Sequence, residues 1–307
     1  MSNALISTAA SAAEQKPGLG PWRLALRRFL RNPRSLVVMG VLGVLLTLSF
    51  GADWIAPFTY MEPFRDAALK NPDAKHWFGL DNIDRDVLSR VIYGGRVSLT
   101  VGVLATLMSV FIGTVVGLLA GFFGGWLDAL LMRFTDIISG FPSLLLAVAI
   151  TAIYHDPHQD VWEKIGVLVI ALGIVGWTGI ARLVRAQVLS IRTLDYVTAA
   201  TALGSSRLRV VFRHILPNCI SPLIVMTTLA IGGNILGEAG LSFLGLGVAP
   251  PYPSWGGMLN DACARIENAW WMSVFPGLAI VITVLAFNLL GDGLRDAIDP
   301  KGSQLGK

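Results

Sequence analysis

The chain has 307 residues, 54% of them hydrophobic and only 14% charged, with a mean hydropathy of +0.64. Soluble domains carry roughly a quarter charged residues, so the composition excludes an ordinary soluble protein and points to a single membrane domain. The net charge of +4 does not indicate nucleic-acid binding. The basic residues cluster beside apolar runs, as inward-facing membrane loops require, and no aromatic-and-basic pattern for reading bases accompanies them. Cys219 and Cys263 form no CxxC or other ligand spacing and read as inert thiols.

In chain order, Met1–Gly18 is Ala/Ser-rich and lacks the continuous apolar core of a signal peptide. A disordered cytoplasmic tail is expected over 1–20. From Pro21 the sequence places Arg23, Arg27 and Arg31 at i, i+4 and i+8, with Trp22, Leu26, Phe29 and Leu30 largely away from that row. This predicts an interfacial amphipathic helix over 21–34 rather than a merely basic flank. A bilayer-spanning helix needs about 20 mostly apolar residues. Six runs meet that length: Ser35–Ala56, Ser98–Phe122, Leu127–Tyr154, Ile165–Leu189, Cys219–Phe243 and Trp271–Leu290. They are too long and too uniformly apolar for barrel strands. The expected fold is therefore an all-α membrane protein with six transmembrane helices over 35–300 and a short cytoplasmic tail over 301–307.

Charge sets the expected orientation. One side collects fifteen Lys and Arg, among them Arg23 to Arg34, Arg182 to Arg213 and the C-terminal Arg295, Lys301 and Lys307. The other side has eight, diluted by acids such as Asp81, Asp84 and Asp86. The positive-inside rule then places both termini in the cytoplasm.

Several motifs fall within the spans. Gly113, Gly117 and Gly121 form a G-x3-G-x3-G row on one face of span two, a surface for close helix packing whose partner helix the sequence does not name. Span three opens with Asp128, Arg133 and Asp136, and the last two are spaced to pair on one face. Pro142 removes a backbone hydrogen bond and is expected to bend that span. Glu238 lies near the outer end of span five. It reads as a pathway residue, a solvated lip residue or a hydrogen-bonded structural carboxylate.

Metal and catalytic patterns fail. Asn82, Asp84 and Asp86 alternate like a calcium loop, but Val87 and Tyr93 occupy its glycine and glutamate positions. His155 and His158 lack a third ligand, and there is no HExxH, GxSxG or P-loop. No metal, cofactor or catalytic residue is assigned to the chain.

The stretch Asp195–Pro217, DYVTAATALGSSRLRVVFRHILP, is a polar, basic, helix-prone insert between two apolar spans. Ala199, Ala200 and Ala202 favour a short helix with small side chains. Gly204 can stop that helix, and Pro217 marks the chain's return toward span five. Tyr196 and Leu203 are apolar anchors. This loop, spanning 191–217, resembles the EAA loop of ABC-importer permeases. The EAA-x3-G pattern falls on Thr198, Ala199, Ala200 and Gly204, and its closing Leu-Pro falls on Leu216 and Pro217. Thr198 stands where the pattern has glutamate, and His214 replaces its usual apolar residue.

Four further blocks extend the resemblance over about residues 20–302: His76–Leu99, Leu131–Ile150, Gly237–Leu259 and Phe275–Pro300. Together they are similar to the second permease subunit of dipeptide and oligopeptide (peptide/nickel) ABC importers. Asp84 departs from that family's glycine before Arg-Asp. The resemblance implies a type I importer permease fold in the cell inner membrane and transport without chemistry in this chain. It also implies a homologous second permease as heterodimer partner, two cytoplasmic ATPase subunits that bind ATP and Mg, and an extracytoplasmic substrate-binding protein. Import of nickel or another small solute such as glutathione is the alternative. An intramembrane enzyme would need a catalytic cluster that the spans lack. A stand-alone carrier would have to account for the docking loop without any internal repeat.

Overall fold

The computed structural model describes residues 21–64, 69–154, 156 and 158–298. The tails expected over 1–20 and 301–307 therefore lie outside the described residues, as does His155. Twelve α-helices make up the described fold. They are α1 (Pro21–Arg31), α2 (Pro33–Phe50), α3 (Ala52–Ile55), α4 (Val87–Phe123), α5 (Gly125–Ser139), α6 (Ser143–Ile153), α7 (Val161–Ile191), α8 (Asp195–Ala202), α9 (Arg207–Val210), α10 (Leu216–Phe243), α11 (Trp255–Cys263) and α12 (Trp271–Ile298). A π-helical turn, Val211–Ile215, joins α9 to α10.

The helix starts are written locally. Asn32 caps α2 by accepting from Arg34 N at 3.0 Å, and Pro33 follows where its missing N–H costs nothing. Asp86 caps α4 by accepting from Ser89 N at 2.8 Å. Asp160 and Glu163 form a reciprocal capping box at α7. Ser254 caps α11 by accepting from Gly257 N at 3.1 Å.

Five helices or joined helices are long and apolar enough to cross a membrane: α2, α4, α7, α9 to α10, and α12. The sixth expected span is the pair α5–α6, bent by 85° at its break. That bend is sharper than a proline kink in one continuous helix. Pro142 sits between the two helices rather than inside one, and no single span covers Leu127–Tyr154. The pair must nevertheless return the chain across the membrane, because α4 and α7 pack parallel to one another. Gly113 lies against Trp177 and Ile180, Gly117 against Ala181 and Val184, and Gly121 against Arg185 and Val188. Two parallel neighbours need a crossing between them, so the chain makes six crossings.

The α4–α7 seam is the most extensive contact between long helices. A Cβ on Gly117 would sit 2.6 Å from the Ala181 carbonyl oxygen, and one on Gly113 2.7 Å from that of Trp177. Only glycine permits this approach, and in lipid such packing replaces the hydrophobic effect as the source of helix association. The glycine row therefore has a named partner, α7. Val38, Leu42, Leu99, Ile235, Trp255 and Phe287 bring α2, α4, α10, α11 and α12 into a second core.

Several boundaries differ from the sequence reading. Span two begins at Val87, well before Ser98, and span six runs on past Leu290 to Ile298. Span five begins at Arg207, twelve residues before Cys219, because α9, the π turn and α10 run on as one helix of 37 residues. The π turn sits just ahead of Pro217, where a proline ring would otherwise meet the carbonyl four residues earlier. Pro217 consequently lies inside this helix and does not open it. The helix expected over 21–34 ends at Arg31, because Asn32 and Pro33 already open α2; Phe29 on it is buried and Leu26 and Leu30 are exposed.

Gly117→Val should lower the melting temperature of the detergent-solubilised protein, since overpacking costs about 1–3 kcal/mol or more where backbone blocks relief. Gly166→Ala, in the same bundle with nothing within 4 Å of the added methyl, should not. Equal melting temperatures for Gly117→Val and wild type would dismiss the seam as a stabilising contact.

Candidate functional site

At the end of the bundle where α4 and α7 finish, α8 packs against the end of α7 and the start of the next helix. Val197 is buried there with Ile191, Val210 and Ile215, which pins the inner face of the short helix. The opposite face carries Tyr196, Ala199, Ala200 and Leu203 at i, i+3, i+4 and i+7. Tyr196 is 44% exposed and Leu203 87% exposed. Thr198 and Ala199 are exposed and Ala200 half-buried. An apolar stripe on a solvent-side helix is left without a covering surface in this chain.

The helix ends in a Schellman arrangement. Gly204 N donates to Thr201 O at 3.0 Å, and Ser205 N donates to Ala200 O at 3.1 Å. Gly204 takes φ +82°, a conformation that strains any side chain. Asn218 Nδ2 donates to the Tyr196 hydroxyl at 3.3 Å, tying α8 to α10. Leu216, half-buried, and Pro217, exposed, lie on the α10 helix behind α8 rather than on the stripe itself. The loop residues thus divide into a presenting face, 196 to 204, and a supporting helix.

Two ion pairs hold the broken span against α7 near this end. Asp128 accepts from Arg185 Nε at 2.5 Å and Nη2 at 2.7 Å, and Asp136 accepts from Arg182 at 2.9 Å. The pairing expected between Arg133 and Asp136 is therefore replaced by pairs between helices. Asp128 and Asp136 both lie on α5, which packs along α7, and Arg182 and Arg185 of α7 reach them.

Glu238 is wholly buried in α10 and does not stand at a solvated lip. Ser242 Oγ donates to its Oε1 at 2.6 Å, while Oε2 has no hydrogen-bond partner among the described residues. A cavity of about 780 Å³ opens on one side of the bundle between α6, α7, α10, α11 and α12. Leu144, Leu236, Phe243 and Val281 on its walls are exposed. Asn234 supplies a polar group there and donates to Thr106 Oγ1 at 2.8 Å. None of these wall residues was singled out by the sequence, because an apolar residue facing a cavity and one facing lipid look alike in a span.

The other end of the bundle is capped by the segment before α4 together with α11. His76 Nδ1 lies 3.0 Å from Asp86 Oδ1 with both side chains buried. Asp81 accepts from Arg85 Nε at 2.7 Å, and Trp271 Nε1 donates to Leu80 O at 3.1 Å. Burial pushes the Asp261 carboxyl above the usual carboxylate range, against the pull of Arg90 and Arg85. Hydrogen bonds from the His76 backbone and Lys70 hold Asp73 down at about 2. Asp84 adopts φ +65°, which accounts physically for a glycine at this position in the resembling family. Among the described residues no three His, Cys, Asp or Glu side chains gather as metal ligands.

A helical bundle with six crossings, a side-opening cavity and a short helix presented at one end defines an integral-membrane transport subunit. The chain belongs to the family of inner membrane components of binding-protein-dependent transport systems, whose model matches residues 113–304. The N-terminal transmembrane domain of oligopeptide transport permease C matches residues 20–72. The dipeptide transport system permease protein DppC of Alkalihalophilus pseudofirmus is 41% identical over 288 residues, covering 94% of this chain and 92% of that one. The glutathione transport system permease protein GsiD of Pectobacterium atrosepticum is 42% identical over 282 residues, covering 92% and 91%. GsiD of Escherichia coli is 43% identical over the same length. A crystal structure of an amino acid ABC transporter with histidines aligns with a TM-score of 0.51 at 17% identity, over 68% of this chain and 94% of that one. At that identity the likeness speaks for the fold alone.

Asp84→Gly should raise the melting temperature, by an amount equivalent to at most about 1 kcal/mol. It relieves a left-handed residue and removes a buried Oδ1 that has no partner among the described residues. A lower melting temperature in differential scanning fluorimetry would show that the aspartate side chain is needed there.

Proposed function

We propose that this chain is one permease of an ATP-driven importer of dipeptides or oligopeptides, coupled to its ATPases through the stripe Tyr196–Gly204. The observation that carries the coupling is geometric. A short helix is pinned on one face by Val197 and left apolar and exposed on the other, with a glycine-stopped end that fixes its direction. Family membership and the sequence match to the EAA pattern support the same reading. Two cytoplasmic ATPase subunits bind ATP and Mg and hydrolyse the nucleotide, and this chain binds neither.

The asymmetry of Lys and Arg supports cytoplasmic termini, a cytoplasmic α8 and an extracytoplasmic α11. The half-open cavity of about 780 Å³ supports a homologous second permease that completes the path. The binding protein then delivers the solute at the α11 end. Closure of the ATPases moves α8, and α8 moves the helix that begins at Arg207, so nucleotide state reaches the pathway through one continuous rod.

The relatives named for dipeptide and for glutathione transport favour peptide first and glutathione second. A thermal-shift screen of the cognate binding protein against dipeptides, glutathione and nickel separates them. Stabilisation by nickel alone would remove both peptide readings.

Ala200→Asp places a charge where a small side chain meets the partner, and an unpaired buried charge costs several kcal/mol. In proteoliposomes holding the full transporter, uptake should fall at least about tenfold while the permease remains folded. Gly204→Val should do the same through strain at φ +82°, and Thr198→Glu should be tolerated. Wild-type uptake by Ala200→Asp would dismiss α8 as the coupling element. For orientation, Asn82→Cys and Thr193→Cys in a background lacking the native cysteines should label from outside and inside respectively. Labelling of both from one side would refute the topology.

A further inference from the structure

At the α11 end a second, smaller cavity of about 230 Å³ lies beneath the 245–254 loop. Arg90 on α4 and Lys164 on α7 border it, together with Asp261 on α11. Both cations are buried, with relative exposures of 4% and 7%. Cations are seldom buried without partners, so what neutralises them decides what the cavity is for.

Arg90 Nε lies 3.5 Å from Asp81 and its Nη2 3.7 Å from Asp261, both longer than a good charge-assisted hydrogen bond. Its Nη1 is buried with no acceptor among the described residues. Asp81 is already engaged by Arg85 at 2.7 Å. Lys164 makes no ion pair with a described carboxylate. Glu163 beside it is turned to the capping box, and Glu238, behind Ser242, accepts from that serine and pairs with neither cation. Arg85, Arg90 and Lys164 therefore face two carboxylates, Asp81 and Asp261, and one positive charge is left over at the cavity.

We propose that this cavity is a carboxylate-binding site that receives the free C-terminal carboxylate of the transported solute, held between Lys164 and Arg90. The proposal rests on the reading of this chain as a peptide permease and adds the part of the solute that is recognised. Size agrees with an end group. At about 230 Å³ the cavity has room for a terminal carboxylate and its nearest atoms and is too small for an oligopeptide. Gly245, at φ +81°, and Gly247, packed on Ser242, let the start of the loop turn closely over α10, and Val248 and Tyr252 of the same loop line the cavity. The walls of this cavity and of the large one share the last turn of α10 and α11, so a solute released here stands next to the pathway.

The test uses the assembled transporter in nanodiscs of neutral lipid, without the binding protein, so that the latter's selectivity does not enter. Binding of alanylalanine is compared with binding of its C-terminal amide by saturation-transfer NMR. The free acid should bind at least about tenfold more tightly than the amide, the size of a charge-assisted contact. Lys164→Gln should abolish that preference, and Lys164→Arg should keep it. Equal binding of acid and amide to the wild type overturns the proposal, and needs no variant that has to fold. So does an unchanged affinity in Lys164→Gln. ATP-driven uptake by the same transporter in proteoliposomes supplied with its binding protein keeps the importer reading separate: uptake without acid preference sinks the site alone.

Discussion

Everything in this fold depends on two parallel helices approaching closely enough to touch backbone to backbone. Lipid tails solvate leucine as well as another leucine does, so apolar character alone cannot choose helix partners in a membrane. The row Gly113, Gly117 and Gly121 makes the choice by shape, seating α4 against the Trp177–Val188 stretch of α7. Because the two run parallel, the chain must cross back between them, and the broken pair α5–α6 performs that crossing. The interhelical ion pairs of Asp128 with Arg185 and Asp136 with Arg182 then fix where the return path lies.

Under the proposed coupling, the same seam sets the geometry of transmission. α7 ends at Ile191, three residues before α8 begins, and α8 is pinned by Val197 to the base of the helix that starts at Arg207. A push on α8 therefore reaches both a helix locked to α4 and a helix that walls the large cavity. Continuity from Arg207 to Phe243 matters more here than any single contact, since a rigid rod carries displacement over its length and a loop would absorb it. The π turn preserves that continuity despite Pro217.

Much of this was legible in the sequence. The apolar runs, the glycine row and the short helix of small residues ahead of Gly204 are local signals, and local signals survive folding. The partner of the glycine row was not legible, because periodicity reports that a face is special without saying what meets it. The partner of Asp136 was hidden for a related reason: three-residue spacing permits a contact with Arg133, but the packing of α5 along α7 offers Arg182 instead. Span five was drawn too short because Arg207, Arg209 and Arg213 look like loop residues in a hydropathy profile, although a helix extending beyond the bilayer carries them at no cost. Glu238 shows the limit most plainly: depth along a span can be counted, but whether a carboxylate faces a pathway or a serine depends on the rotation of the helix.

The most direct measurement is a photocrosslink from the tip of the presenting helix. With p-benzoylphenylalanine at position 203, where Leu203 is 87% exposed, irradiation of native membranes should capture a cytoplasmic ABC ATPase, identified by mass spectrometry, with a yield that changes on adding ATP. Position 36 on α2, also exposed, should not capture it. Crosslinks from position 203 to lipid or to the second permease alone would contradict coupling through α8.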